Sequence, residues 1–255
     1  MLGAIIQARM TSTRLPGKVL MPVFESMSML EAVIHRIHSC DEIKLVIVAT
    51  TLNATDDPVV KLCHNLENKY GKLRVFRGSE YNVLSRFCFA AHKFHLDHII
   101  RITSDCPLIQ PDILKAMIAQ YFESECDYLS NTLCRSYPRG LDAEIFAAKL
   151  LDRAYSDNNL TTAETEHVTP YINCRPEVFQ LENWSQKQDY SHYRLTVDTQ
   201  EDLNLVRLIY LTLYPKNPLF TQDEIIKLLK ERPEWVMLNA EIEQKTYTNH
   251  GITKA

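Results

Sequence analysis

The chain has 255 residues, 45% hydrophobic and 24% charged, with a formal net charge of −4. That composition can build one large globular domain or two small ones. Its acidic balance argues against a nucleic-acid partner, which calls for a basic excess on one face, and no apolar run is long enough for a membrane span.

The N-terminus opens on a strand pattern with no cationic leader, so no signal peptide is expected. The seven cysteines (Cys40, Cys63, Cys88, Cys106, Cys126, Cys134 and Cys174) are scattered, odd in number and never spaced as CxxC. This argues against a disulfide framework and against a structural zinc site, and fits reduced thiols in a cytoplasmic protein.

Strand and helix patterns alternate through the first half. Ala4–Ala8 reads as a strand, Met29–Ile37 as an amphipathic helix, Lys44–Thr50 as a buried strand and Asp57–Lys69 as a helix. Leu73–Phe76 reads as a strand, and Ser79 is placed to cap a helix running to Phe94. His98–Thr103 is a further buried strand, Pro111–Phe122 a helix and Asp127–Ser130 a strand. From 131 to 190 the pattern becomes irregular, with strands expected at Ala143–Phe146 and Val178–Leu181 and helices at Ala148–Tyr155 and Ala163–Asn173. This reads as an insertion that returns to the sheet at Tyr193–Val197. Thr199 with Asp202, and Thr221 with Glu224, have capping-box spacing for helices Glu201–Leu213 and Asp223–Lys230. Residues 1–238 thus read as one domain, followed by a polar tail over 239–255. The β-α-β-α order implies an α/β fold with a mostly parallel sheet covered on both faces, whose ligands sit beyond the strand C-termini.

One loop stands out. Ala8-Arg9-Met10-Thr11-Ser12-Thr13-Arg14-Leu15-Pro16-Gly17-Lys18 follows the first strand and carries three cations, with no acidic residue before Glu25. Arginine forks and backbone N–H groups at a strand end suit phosphate, although the loop is neither a Walker A nor a GxGxxG turn. On spacing alone it could equally be an exposed basic loop. Asp105 in Thr103-Ser104-Asp105-Cys106-Pro107 could hold a metal or cap the helix at Pro111. Asp198 in Arg194-Leu195-Thr196-Val197-Asp198 lies at a second strand end.

These strings, in this order, resemble the cytidylyltransferases that activate acidic sugars, the CMP-KDO and CMP-sialic acid synthetases, and most closely the branch named for spore coat polysaccharide biosynthesis protein F. The likeness spans roughly residues 3 to 215. It implies a Rossmann-like, GT-A-like nucleotidyltransferase fold whose inserted region serves the sugar side and dimerisation. It implies that Ala8, Arg9, Ser12, Arg14, Lys18, Ser79 and Arg86 bind the nucleotide, that Asp105 and Asp198 hold Mg²⁺, and that Arg14, Lys18, Asp105 and Asp198 are catalytic. By the same likeness, Asn131, Asp142, Glu144 and His167 are sugar-side residues. Three departures from the family pattern are Ser104 and Asn82, where relatives often have Gly and Asp, and the glycine-free Phe24-Glu25-Ser26-Met27 turn.

The expected activity is transfer of CMP from CTP to an acidic keto-sugar with release of pyrophosphate, in cell-surface polysaccharide synthesis, by a homodimer. The alternatives are a uridylyl- or guanylyltransferase of the same fold, a glycosyltransferase of related fold, and a non-catalytic nucleotide-binding partner. The loop's low glycine content disfavours the first. Ser104-Asp105-Cys106 in place of DxD disfavours the second, and the retention of both aspartates disfavours the third.

Overall fold

The computed structural model describes residues 1–243, 245–248 and 251–254. In chain order the elements are β1 (Leu2–Gln7), β2 (Pro22–Phe24), β3 (Met27–Ser28), α1 (Met29–His38), β4 (Leu45–Thr51), α2 (Asp57–Leu66), β5 (Leu73–Gly78), α3 (Val83–Lys93), β6 (His98–Thr103), α4 (Pro111–Ser124), β7 (Tyr128–Ser130), β8 (Glu144–Ala147), α5 (Lys149–Tyr155), α6 (Thr162–His167), α7 (Pro170–Asn173), β9 (Leu181–Asn183), α8 (Gln200–Leu213), α9 (Gln222–Glu231), α10 (Pro233–Val236), β10 (Lys245–Thr248) and β11 (Gly251–Lys254). Among the described residues, no helix is long and apolar enough to cross a membrane.

The apolar runs pair because each must bury both faces. They form one seven-stranded sheet in the order β5-β4-β1-β6-β8-β7-β9. β5, β4, β1 and β6 are parallel, and among the described strands of this sheet β8 alone runs against the others. Side chains alternate between two cores. Ala4 and Ile6 of β1 join α1, α2, α4 and α8 on one face, while Ile5 joins α3 and α5 on the other. Each fully buried Ile or Leu contributes about 1.5–3 kcal/mol. This is the mixed, mostly parallel α/β sheet expected of a Rossmann-like nucleotidyltransferase. After β1 the chain first builds β4 and β5 on one side and then crosses to β6 on the other. The switch point between β1 and β6 is where such sheets hold ligands.

The caps follow their spacing. Thr199 with Asp202 and Thr221 with Glu224 form complete capping boxes at α8 and α9, and Thr161 with Glu164 forms a third at α6. Four expectations change. The cap of α3 is Asn82, whose side chain accepts from Ser85 N at 2.8 Å, because Ser79 is used one turn earlier, accepting from Asn82 N at 3.0 Å. The helix expected over Ala163–Asn173 is two, broken at Val168 with φ 72° ahead of Pro170. The strand expected at Val178–Leu181 starts three residues later, because Val178 N and Phe179 N donate back to Arg175 O in a turn. Tyr193–Val197 forms no strand: β8 already occupies the edge of β6, and the segment keeps only a single bridge from Arg194 to Arg139. The tail expected beyond Asn239 includes residues 244, 249, 250 and 255, which lie outside the described residues, while Lys245–Thr248 and Gly251–Lys254 pair as a hairpin. The glycine-free turn after β2 places Glu25 at φ 46°, a conformation that glycine adopts at less cost.

Gly140 has the least room of the described glycines. Its φ is 99°, and a Cβ there would lie 2.4 Å from Thr196 N. Replacing it with alanine should cost about 2–4 kcal/mol in strain and overpacking. Gly71→Ala, which meets open space, should stay within about 0.5 kcal/mol. Urea unfolding of both variants checks the pair, and equal stability of the two would refute the assignment.

Candidate active site

β1 delivers the basic loop to the C-terminal rim of the sheet. The loop is internally braced: Ser12 N and Gly17 N both donate to Met10 O, at 3.0 and 2.9 Å. Gly17, at φ 73°, then turns the chain into a short helical turn that points Lys18 inward. Asp56, buried just before α2, anchors the loop's start by accepting from Met10 N at 2.7 Å, and also accepts from Thr51 N and the Thr51 hydroxyl at the end of β4.

Lys18 is buried at the centre. Its Nζ donates to Asp105 Oδ2 at 3.0 Å, to Asp198 Oδ1 at 3.0 Å and to Val197 O at 2.7 Å. Burial works against the charged amine, but Asp105 and Asp198 outweigh it and hold Lys18 above the usual lysine range. Burial likewise disfavours the Asp105 carboxylate, and Lys18 more than compensates, so Asp105 sits below its ordinary value. Asp198 is fixed further by Arg14 Nη2 at 2.8 Å and Arg194 Nη2 at 2.9 Å. Arg194 also grips Asp202, through Nε at 2.9 Å and Nη2 at 3.0 Å, and Asn239 Nδ2 donates to Asp202 Oδ1 at 2.8 Å. The capping-box aspartate of α8 is therefore also part of the support behind Asp198.

Two clefts meet at this centre. One, of about 220 Å³, is walled by Ala8, Arg9, Ser12, Arg14, Lys18, Val83, Arg86, Ser104, Glu166 and His167, with Asp105 and Asp198 at its floor. It is the more cationic, and Arg86, buried and beside Arg9, has its pKa lowered to about 10. The other, of about 260 Å³, is bounded by Arg101, Thr103, Cys106, Arg139, Gly140, Asp142 and Thr196. Gln7, Arg14, Asp105, His167 and Asp198 line both. Burial, followed by the opposing pull of Glu166 and then Arg101 and Arg9, leaves His167 below the usual histidine range.

Of the nucleotide-side residues picked from sequence, Ala8, Arg9, Ser12, Arg14, Lys18 and Arg86 line the first cleft. Ser79 lies outside it, where its carbonyl accepts from Arg86 Nη1 at 3.1 Å. Of the sugar-side residues, Asp142 and His167 line the second cleft. Asp142 is held by Arg135 in a bidentate pair at 2.6 and 2.9 Å. Asn131 is fully buried and clamps the 131–143 segment, donating to Leu141 O and accepting from Ala143 N. Glu144 lies behind the wall, paired with Arg101 at 2.9 Å directly across the β6–β8 ladder. Burial raises its pKa, with Arg101 opposing. Sequence reasoning missed Asp56, Arg101, Glu166 and the Arg194–Asp202–Asn239 group. The visible signal was a lone arginine inside the otherwise apolar His98–Thr103 strand.

The donor set at the centre is carboxylate and carbonyl oxygen, and Asp105 and Asp198 converge on one cation position, now marked by the Lys18 ammonium. That fits a hard divalent ion that shares its remaining positions with phosphate oxygens and water.

The chain is 36% identical over 237 residues to the spore coat polysaccharide biosynthesis protein SpsF of Bacillus subtilis, covering 90% of this chain and 94% of that one. An uncharacterized protein of Methanocaldococcus jannaschii is 34% identical over 248 residues, covering 95% and 96%. The solved structure of a cytidylyltransferase from Leptospira borgpetersenii superposes with a TM-score of 0.85 at 32% identity, covering 97% of this chain and 99% of that one. A CMP:2-keto-3-deoxy-manno-octonic acid synthetase shares the fold, with a TM-score of 0.60 at 17% identity over 83% of this chain and 98% of the other. Residues 3–249 match the cytidylyltransferase family model, and the chain belongs to that family of nucleotidyltransferases.

Proposed function

We propose that this protein is a Mg²⁺-dependent cytidylyltransferase that joins CMP from CTP to a hydroxyl of an acidic keto-sugar, releasing pyrophosphate. The observation that carries the reading is the Lys18–Asp105–Asp198 centre at the meeting of a cationic cleft and a second cleft of similar size. CTP would take the first cleft, with its phosphates against Arg9, Arg14 and Arg86, and the sugar the second. The two substrates would then meet beside Asp105 and Asp198. Arg9 and Arg14 would stabilise negative charge on the departing pyrophosphate, joined by Lys18 once a metal ion takes its position between Asp105 and Asp198, and the braced loop keeps these cations at the cleft before the substrate arrives. When bound by Asp105 and Asp198, Mg²⁺ supplies Lewis-acid polarisation of a phosphoryl oxygen and lowers the pKa of the attacking hydroxyl.

The name of the Bacillus subtilis relative supports a place in surface polysaccharide synthesis. Seven free thiols support a reducing, cytoplasmic setting. The homodimer belongs to the same proposal through the family resemblance, and sedimentation velocity checks it.

The defining assay is pyrophosphate release with each nucleoside triphosphate, Mg²⁺ and a panel of sugars. CTP with an acidic keto-sugar should turn over, and EDTA should stop the reaction until Mg²⁺ is restored. Asp105→Ala should lower kcat at least about a hundredfold while circular dichroism stays unchanged; normal turnover by this variant would remove the carboxylate from the mechanism. Asp56→Asn, which weakens the anchor on Met10 N, should act differently. It should raise KM for CTP about tenfold, through the loss of one charged hydrogen bond, and leave kcat close to that of the parent. A kcat effect with unchanged KM would contradict the loop-anchoring role.

A further inference from the structure

Away from both clefts, α3 and α5 place three metal-ligating side chains together. Cys88 and His92 lie four residues apart on α3, so they share one face, and Asp152 faces them from α5. Cys88 Sγ is 3.2 Å from Asp152 Oδ1, and His92 Nε2 is 2.6 Å from the same oxygen. The three donor atoms all lie within 4.8 Å of one another. A tetrahedral zinc ion with bonds of about 2.0–2.3 Å sets its ligand atoms about 3.3–3.6 Å apart, so the two pairs that share the Asp152 oxygen open by less than about 1 Å and the Cys88–His92 pair closes by no more than about 1.5 Å.

We propose that Cys88, His92 and Asp152 form a binding site for a transition-metal ion of the Zn²⁺ type. The donor set is one sulfur, one imidazole nitrogen and one carboxylate oxygen, which suits a borderline-soft ion and not the Mg²⁺ that an oxygen-only pair selects. The sulfur is pre-placed: Cys88 is 1% exposed and packs in the core with Leu84, Phe87 and Leu151. The other two ligands give access from solvent, with His92 and Asp152 side chains 58% and 48% exposed. Binding forms the sulfur–metal bond as the thiol proton leaves to water, and a water completes the fourth position. The absence of CxxC spacing hides this site in the sequence, because Cys88-x-x-x-His92 is a helical pair whose third member is 60 residues away from His92. The ion would brace α5 against the helix that carries Val83 and Arg86 into the nucleotide cleft.

The test uses the full chain, stripped with a chelator, in a background where the exposed thiols are removed by Cys134→Ser and Cys174→Ser. Zn²⁺ binding is measured by equilibrium dialysis, and Co²⁺ is used as an optical probe. The parent should bind Zn²⁺ and show a thiolate-to-cobalt charge-transfer band that Cys88→Ser abolishes. His92→Ala and Asp152→Asn, both at the helix surface, should each weaken Zn²⁺ binding about tenfold or more, the least expected for a lost ligand. Both should still release pyrophosphate from CTP at the parent rate. Undiminished Zn²⁺ affinity in these two variants, or no thiolate band in the parent, would show that the cluster is a hydrogen-bonded contact only. Should Cys88→Ser fail to fold, the two surface variants decide the question alone. Failure of CTP turnover in the parent would overturn the proposed activity but leave this result standing.

Discussion

The structure depends on one buried ammonium group. Lys18 Nζ gives its three protons to Asp105, Asp198 and the Val197 carbonyl, and so ties the loop after β1 to the rim of β6 and to the turn before α8. Taking these charges out of water costs several kcal/mol per ion, and only near-complete hydrogen bonding offsets that cost. Breaking such a pair by deleting one partner costs about 3–5 kcal/mol, because the survivor is left buried and uncompensated. The contact that closes the fold over the rim is therefore also the contact that brings Asp105 and Asp198 together.

Charge around that centre is arranged asymmetrically. Lys18, Arg14 and Arg194 face Asp105, Asp198 and Asp202, so the middle is close to balanced. In the first cleft, Arg9 reaches Glu80 only at 4.0 Å, and Arg86 bonds the Ser79 carbonyl. The lowered Arg86 pKa reflects burial and then its neighbour Arg9. Two crowded cations in a cleft bind an anionic ligand with less opposing desolvation than neutral walls would, since the ligand relieves their repulsion. The balanced middle positions, and the unbalanced side attracts.

Much of this was legible in the sequence wherever local rules act. Buried parallel strands read as apolar runs, and capping boxes carry their own spacing, so β4, β6, α8 and α9 were placed within a residue or two. The loop's cations and Asp105 were also placed at strand ends of the sheet, whereas Asp198 was placed at the end of a strand that the structure does not form. What stayed hidden depends on contacts between distant segments. Asp202 reads as a cap and is one, but it also grips Arg194 and accepts from Asn239, 37 residues further on, and no local signal reports either partner. Tyr193–Val197 has a good strand pattern, yet the position beside β6 is taken by β8, and no local signal reports which segment arrives there. Arg36 is fully buried in α1, where it donates to Ile109 O and Phe220 O and stacks over the Phe220 ring at 4.5 Å. Periodicity marks that position as inward but cannot say what receives the charge.

The reversed strand explains why one sheet can serve two clefts. A wholly parallel sheet presents one crevice at its switch point. Here β8 runs antiparallel to β6 and puts Glu144 opposite Arg101, so the segment just before β8 reaches the same rim as the strand ends of β1 and β6. That segment carries Arg139, Gly140 and Asp142, which form the outer wall of the second cleft. Gly140 lets it press against the Leu195–Thr196 backbone, and Val197 N donates to Asp105 O at 2.9 Å on the far side of the same strip. The second cleft is thus held at a fixed distance from Asp105 and Asp198 by backbone contacts, not by long side chains. Changes in side chains at Arg139 or Asp142 can therefore alter the shape and charge of the second cleft without moving Asp105 or Asp198, so under the proposed function acceptor choice can vary on this fold while the two aspartates stay in place.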